Sequence, residues 1–434
     1  MIKTKKLLNS YASEALDLAK VLYPINRSIT GKGTHQSLKI LKSELNELKI
    51  KSFKSGSRVF DWKIPERWNI ETAKISRLNG EKVIDFSDNN LHVVSYSESV
   101  KKQMNFKELE KRIFTIPKMP NAIPYVTSYY NRSWGFCMSE NTKKDMTDDE
   151  YLVEIKSTFD NGPMYYGEYY LPGEKKDKEI LFSTYVCHPS MANNELSGPV
   201  VSIALAKYLS KIERKYSYRF LFLPETIGSI AYISKNLETM KKTIFAGLVL
   251  TCIGDERCFS IVSAKNRNPL EEILSNVITK KAKEYDSKVK LYSFLERGSD
   301  ERQYSSPNVD LPISMFCRSK FGTFKEYHTS LDNFDLVTHK GIMGSIDALI
   351  TAINLIEEKD YPKAVFPCEP NLGKRGLYPL IGARKKSDYV RNIKNILAYS
   401  DGYRDLEELS DILNIKKGET DEIVLTLTEN GLLK

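Results

Sequence analysis

The stretch Thr184-Tyr185-Val186-Cys187-His188-Pro189-Ser190-Met191-Ala192-Asn193-Asn194-Glu195-Leu196-Ser197-Gly198 decides how this chain is read. Residues 180–186 form an apolar run that predicts a buried strand. Beyond the stretch, Val200, Val201, Ala204, Leu205, Tyr208 and Leu209 recur at helical spacing, which predicts a helix over 197–211. The polar residues between strand and helix therefore sit at a rim where His188, Asn193, Asn194 and Glu195 can converge. The whole chain has five histidines, so one placed at such a rim is informative.

The same arrangement repeats twice. The apolar run 218–223 ends in Pro224-Glu225-Thr226-Ile227-Gly228-Ser229, and the run 245–253 ends in Gly254-Asp255-Glu256. Strands that are apolar at nearly every position, alternating with helical patterns, predict a mostly parallel sheet with helices on both faces. In open sheets of this kind, ligands bind beyond the carboxyl ends of the strands, where His188, Glu225 and Asp255 fall. Two further clusters lie downstream, Arg297-Gly298-Ser299-Asp300-Glu301-Arg302-Gln303-Tyr304 and Glu326-Tyr327-His328-Thr329. His328 follows a short apolar run, 314–317, much as His188 follows its own. Two imidazoles and several carboxylates on loops after strands suit zinc, which leaves an open position for water at catalytic sites. The metal lowers the pKa of that water, and a free glutamate can take its proton.

Each of these residues also has a plainer role open to it. His188 before proline can close a strand, and Glu225 can accept from first-turn amides of the next helix. Asp255 and Asp300 can be turn residues. Arg297 and Arg302 can be surface ion pairs, and Tyr327-His328 a core aromatic pair. His35, His92 and His339 have no comparable context.

His188, the Asn193-Asn194-Glu195-Leu196-Ser197-Gly198 stretch, Glu225, Gly298-Ser299-Asp300 and Tyr327-His328-Thr329 together resemble the zinc aminopeptidases of the leucyl aminopeptidase and glutamate carboxypeptidase clan. The stretches 23–31, 59–62, 65–70, 92–96 and 373–378 are similar to a bacterial branch of it. Members of that branch are aminopeptidase-like proteins with an inserted domain of unknown function and a C-terminal winged helix, often accompanying polysaccharide-biosynthesis genes. The resemblance implies an α/β fold with a zinc-aminopeptidase-like, mixed but mostly parallel sheet. It also implies metal ligands among His188, Asn194, Glu225 and His328. Glu225 would be general base or ligand, and Asp300 would orient substrate or hold a ligand imidazole. Arg297, Arg302, Glu301 and Tyr327 would meet the substrate. The sequence departs from the clan at three points. Asn194 stands where an aspartate bridges two metals, Glu225 has no glutamate neighbour, and the third-strand aspartate falls near Thr251, with Asp255 the nearest substitute. A neutral amide supplies no bridging charge, so one zinc ion is expected, not two.

Composition sets the frame for this reading. The 434 residues predict two to three domains, and 41% hydrophobic with 28% charged residues is ordinary for a globular chain. No apolar run reaches the ~18 residues of a membrane span. Six cysteines without a C-x-x-C pair argue against a zinc ribbon or redox motif, and a cytoplasmic location is the expectation. The net charge of +9 is spread along the chain, with a local basic patch near Lys374-Arg375 and Arg384-Lys385-Lys386.

Three parts are expected: an aminopeptidase-like core from 1–55 and 166–362, an inserted β-rich domain at 56–165, and a winged helix at 367–434. Within the insert, 73–76, 82–86, 92–96 and 151–155 read as strands, the last leading with 164–171 back into the main sheet. In the tail, Glu407, Glu408, Asp411, Glu419, Asp421 and Glu422 oppose phosphate contact, so nucleic acid is not an expected partner. The functional expectation is a zinc-dependent hydrolase of an amide bond in a small peptide or amino-acid-modified sugar, with self-association open. The alternative is a catalytically silent binding or scaffold protein of glycan assembly.

Overall fold

The apolar runs are neighbouring strands of one eight-stranded sheet in the computed structural model, which describes residues 5–147, 149–378 and 387–434. Its order is Lys49–Phe53, Met164–Leu171, Tyr216–Leu223, Lys175–Tyr185, Ile244–Leu250, Ile313–Cys317, Cys258–Val262, Lys288–Tyr292. The four strands from Tyr216–Leu223 to Ile313–Cys317 pair in parallel. On one flank Met164–Leu171 and Lys49–Phe53 run antiparallel, and on the other Cys258–Val262 opposes Ile313–Cys317. All seven residues of Ile244–Leu250 are buried, as a strand covered on both faces requires.

The connections explain where a ligand would lie. Helix Ser197–Leu209 leads from Lys175–Tyr185 to its neighbour on one side, and helix Ile227–Thr243 leads back across it to the other side. Right-handed crossovers travelling in opposite directions put these helices on opposite faces. The chain therefore reverses direction around Lys175–Tyr185, and a crevice opens at that strand's carboxyl end. His188 lies three residues beyond it.

Several boundaries differ from expectation. Helix 197–211 is observed as Ser197–Leu209, and the polar Ala192–Leu196 before it is wound into a π-helical turn rather than a loop. Residues 92–96 form no strand; a 3₁₀ turn at Asn90–His92 is followed by single bridges from Val93 to Phe136 and Ser95 to Thr127. Glu150–Asp160 does not lead into the main sheet. It pairs with Arg67–Arg77 and Val100–Asn105 in a separate four-stranded sheet that also holds Lys82–Asp85. Its burial alternates along much of its length, the mark of a strand with one wet face, which distinguishes it from the central strands. Met164–Leu171 does join the main sheet.

Helices Ser387–Tyr399, Leu406–Leu413 and Lys417–Glu429 enclose a small core of their own that includes Ile393, Ile396, Ile423 and Leu427. Bridges from Lys363 to Asp401 and from Ala364 to Leu433 stand where a winged helix carries its short strands. Ion pairs from Arg267 to Glu408 and from Lys359 to Asp405 tie this unit to the preceding part. Arg384, Lys385 and Lys386 of the expected basic patch lie outside the described residues. No helix among the described residues is long and apolar enough to cross a membrane.

Candidate metal centre

His188 is held from two sides. Its Nδ1 lies 2.8 Å from Glu195 Oε2, and its backbone carbonyl accepts from Arg27 Nε at 3.0 Å. An ionised carboxylate only accepts, so Nδ1 carries a proton, and in the neutral ring Nε2 is the nitrogen with the lone pair. Nε2 is 3.5 Å from Glu225 Oε2. Burial works against a charged His188, but the hydrogen bond and charge of Glu195, with the charge of Glu225, outweigh it and raise its pKa. Glu225 lies two residues beyond strand Tyr216–Leu223, its side chain is 23% exposed, and its Oε1 accepts from Ser299 Oγ at 3.0 Å.

His328 comes from the loop beyond strand Ile313–Cys317. Its ring centroid is 5.4 Å from that of His188, and Tyr327 stacks on it at 3.9 Å. Burial, then the proximity of His188, depress its pKa to about 3, so the ring is neutral. Its Nε2 is buried with no hydrogen-bond partner. Asn194 donates from its backbone to Asp332 (2.8 Å) and from Nδ2 to Tyr185 Oη (2.9 Å), while its Oδ1 is likewise buried and unpartnered. Tyr185 links it to the imidazoles, with its ring 5.4 Å from His188. Ser190, Thr226, Cys252 and His328 all adopt left-handed backbone at φ of 45°, 62°, 52° and 56°. Four non-glycine residues in this costly region, each in a loop beyond a central strand, mark a place where geometry outweighs comfort.

A second group of potential ligand atoms lies nearby but does not suit a metal. Cys187, His188 Nδ1 and Glu195 have such atoms within 4.8 Å of one another. The fully buried Arg27 guanidinium, 3.9 Å from Glu195 Oε1, already supplies the positive charge there. Burial also drives the Cys187 thiol well above its ordinary pKa, which keeps it protonated. Glu195 Oε1 has no hydrogen-bond partner, but the Arg27 charge beside it disfavours a cation there, which leaves the Nε2 side of His188 as the better place.

The remaining expected residues are dispersed. Asp300 does not hold an imidazole, because Glu195 does; Asp300 accepts from Thr226 N (2.7 Å) and Ser229 Oγ (3.0 Å) and fixes the corner between strand and helix. Burial and the nearby charge of Glu225 raise its pKa to about 7. Glu301 accepts from the Gly298 and Ser299 amides, which shapes its own loop. Arg302 donates to Thr226 Oγ1 at 2.9 Å, and exposed Arg297 folds back over Phe294. Asp255 cannot substitute for a third-strand ligand, since Asn193, Arg257 and both donors of Ser319 occupy its carboxylate.

Two participants were not anticipated. Arg27 lies in the stretch 23–31, yet nothing in that stretch announces a partner 161 residues on. Tyr125 comes from the segment between strands of the four-stranded sheet. Its amide donates to the His328 carbonyl at 2.8 Å, Pro124 bridges to Thr329, and its ring lies 5.1 Å from His188 and 5.2 Å from His328.

Residues 16–359 match the family described as "Domain of unknown function (DUF4910)", and residues 360–434 match a winged helix-turn-helix family. The chain belongs to the DUF4910 family. A Clostridium acetobutylicum protein described as a "putative polysaccharide biosynthesis protein with aminopeptidase-like domain" is 44% identical over 377 residues, 87% of this chain and 85% of its own. The crystal structure of a "putative peptidase" from Clostridium acetobutylicum superposes with a TM-score of 0.80 at 39% identity, covering 99% of this chain and 97% of that one. BSAP, a zinc aminopeptidase from Bacillus subtilis, gives a TM-score of 0.58 at 15% identity over 80% of this chain and 94% of its own. This member of the family thus has the aminopeptidase-like fold with a C-terminal winged helix, as the sequence motifs imply.

Proposed function

We propose that this protein is a metal-dependent amide hydrolase of the aminopeptidase type, holding one zinc ion and serving polysaccharide synthesis. The observation that carries the reading is the buried, unpartnered Nε2 of His328, 5.4 Å ring to ring from a His188 whose own Nε2 faces Glu225. Imidazole nitrogens and a carboxylate gathered at one buried point are the ligand types a divalent zinc site requires. His188 and His328 would hold the ion, with Glu225 either a third ligand or the base, and Asn194 Oδ1 a further buried, unpartnered oxygen. Bound there, zinc would lower the pKa of a water molecule and polarise the amide carbonyl. Glu195 fixes the His188 tautomer, Glu225 is placed to take a proton, and the Tyr125 ring restricts solvent. Arg27 supplies the charge on the Nδ1 side, which supports one ion over two. The acidic tail helices support a protein-contact role for the winged helix, and a cytoplasmic setting suits five buried free thiols.

Metal analysis tests this without a known substrate. Stoichiometric zinc in the wild-type protein, lost in His188→Ala and His328→Ala, is the expected result; a wild type that takes up none when supplied with zinc ends the hydrolase reading. Glu225→Gln is expected to lower amide turnover by about 10²–10⁴-fold, and retention of zinc in that variant assigns Glu225 as base.

A second reading, a catalytically silent binding protein, is favoured by Asn194 and by the saturated Asp255. It predicts an inert wild type with turnover appearing in Asn194→Asp. Hydrolysis by the wild type removes it.

A further inference from the structure

Beside the imidazole pair, on the side of the four-stranded sheet, lies a cavity of about 390 Å³, within the size range of small-ligand sites. It is separated from the imidazoles by two tyrosines: Tyr129 lines the cavity, its hydroxyl is 2.7 Å from that of Tyr125, and Tyr125 packs on both rings. The walls are aromatic. Tyr96, held at φ 68°, and Tyr129 meet edge to face at 5.4 Å, and Phe159 is covered by the Arg132 guanidinium at 3.7 Å. Exposed Tyr130 and Trp62 extend the aromatic surface outward, 5.9 Å apart.

The polar lining is selective. Glu66 is already paired with Arg132, which cancels both charges. Lys63, Asn131 and Asn161 line the cavity with no side-chain partner among the described residues. A peptide entering by its amino terminus needs a free carboxylate, whereas the uncommitted charge here is a repelling ammonium. Aromatic faces suit the C–H faces of a pyranose, and two free amides suit hydroxyls that both donate and accept.

We propose that this cavity binds one hydroxyl-rich pyranose ring bearing at most one negative charge, recognised by Tyr130, Asn131 and Asn161, with Lys63 meeting an acidic substituent. The inference deepens the amide-hydrolase reading and rests on it for one point only: the substituent of a sugar held there lies one tyrosine pair from the imidazoles, so the substrate class is an amide-substituted sugar rather than a peptide.

Saturation-transfer NMR on the full-length protein tests this with methyl galactoside, galacturonic acid and triglycine as probes. Both sugars are expected to bind and triglycine not to. Tyr130→Ala and Asn131→Ala, at exposed positions, should weaken both sugars about tenfold, a loss of about 1.4 kcal/mol, with unchanged thermal unfolding. Lys63→Met should erase only the preference for the uronic acid. Absence of binding by both sugars, sugar binding unaffected by these substitutions, or triglycine competing with the sugars overturns the proposal. Zinc content of the same preparations is read independently, so a failed cavity and a failed metal centre are told apart.

Discussion

Glu195 carries two neighbours on one carboxylate: it accepts from His188 Nδ1 and stands 3.9 Å from the buried Arg27 guanidinium. Its substitution should therefore have two separable effects. Glu195→Gln is expected to weaken zinc binding about 10–100-fold, the usual effect of removing the partner that orients a ligand histidine. It should also destabilise the fold by about 3–5 kcal/mol, because Arg27 is left as an uncompensated buried charge. Adding Arg27→Met should recover much of the stability in a denaturation curve but not the affinity measured by chelator competition. If both recover together, Glu195 has no role in orienting the imidazole. At this scale the sequence was informative where a residue's position follows from its place after an apolar run, as for His188, Glu225 and His328, which the fold brings together. It was silent on Arg27 and Tyr125, whose significance depends on contacts made across the molecule. At Asp255 and Asp300 the sequence left a turn role open, and both carboxylates do accept from backbone amides.

Among the elements, the junction of strand Lys175–Tyr185 with helix Ser197–Leu209 sets the rim's geometry. Gly198 lies in the first turn of that helix, where a Cβ would come within 2.2 Å of Thr184 Oγ1 and 2.3 Å of the Leu250 carbonyl oxygen. Gly198→Ala improves helix propensity by about 1 kcal/mol, yet the forced separation of helix from strands costs more. The expected net is a loss of about 1–3 kcal/mol in the denaturant midpoint, accompanied by weaker zinc uptake because Asn194 and Glu195 precede it. An unchanged midpoint would mean that the helix can shift without cost. The central strands were legible because they are apolar at consecutive positions. The π-helical turn at Ala192–Leu196 was not, since short polar residues there fit a loop equally well and only its packing against Asp332 and Thr251 winds it. Residues 92–96 have a strand's composition but find only single bridging partners.

Across the whole molecule, the edge of the main sheet depends on charge. Arg219 pairs with both Glu168 and Glu179, and Glu168 also takes Lys51 and Tyr232. Burial opposes ionisation of Glu168, but the bonds from Lys51 and Tyr232 and the charge of Arg219 prevail and hold its pKa below the ordinary value of about 4.3. A folded-state pKa below the unfolded one adds stability that is complete above the unfolded value and lost as pH falls through the folded value. Unfolding free energy measured against pH should therefore fall steeply below about pH 4, and Glu168→Gln should flatten that fall while lowering stability at neutral pH. An identical acid profile in the variant would place the sensitivity elsewhere. The fold class could be inferred from the alternation of apolar runs and helical patterns, whereas the position of Glu150–Asp160 required knowing which sheet would take it. Arg27 also bears on how the chain is made. Its acceptor, the carbonyl of residue 188, leaves the ribosome 161 residues later, which at about 5–20 residues per second is roughly 8–32 s. Throughout that delay the guanidinium must stay hydrated in the nascent chain, so the pocket around it closes late, and the step that strips its water also sets the histidine in place.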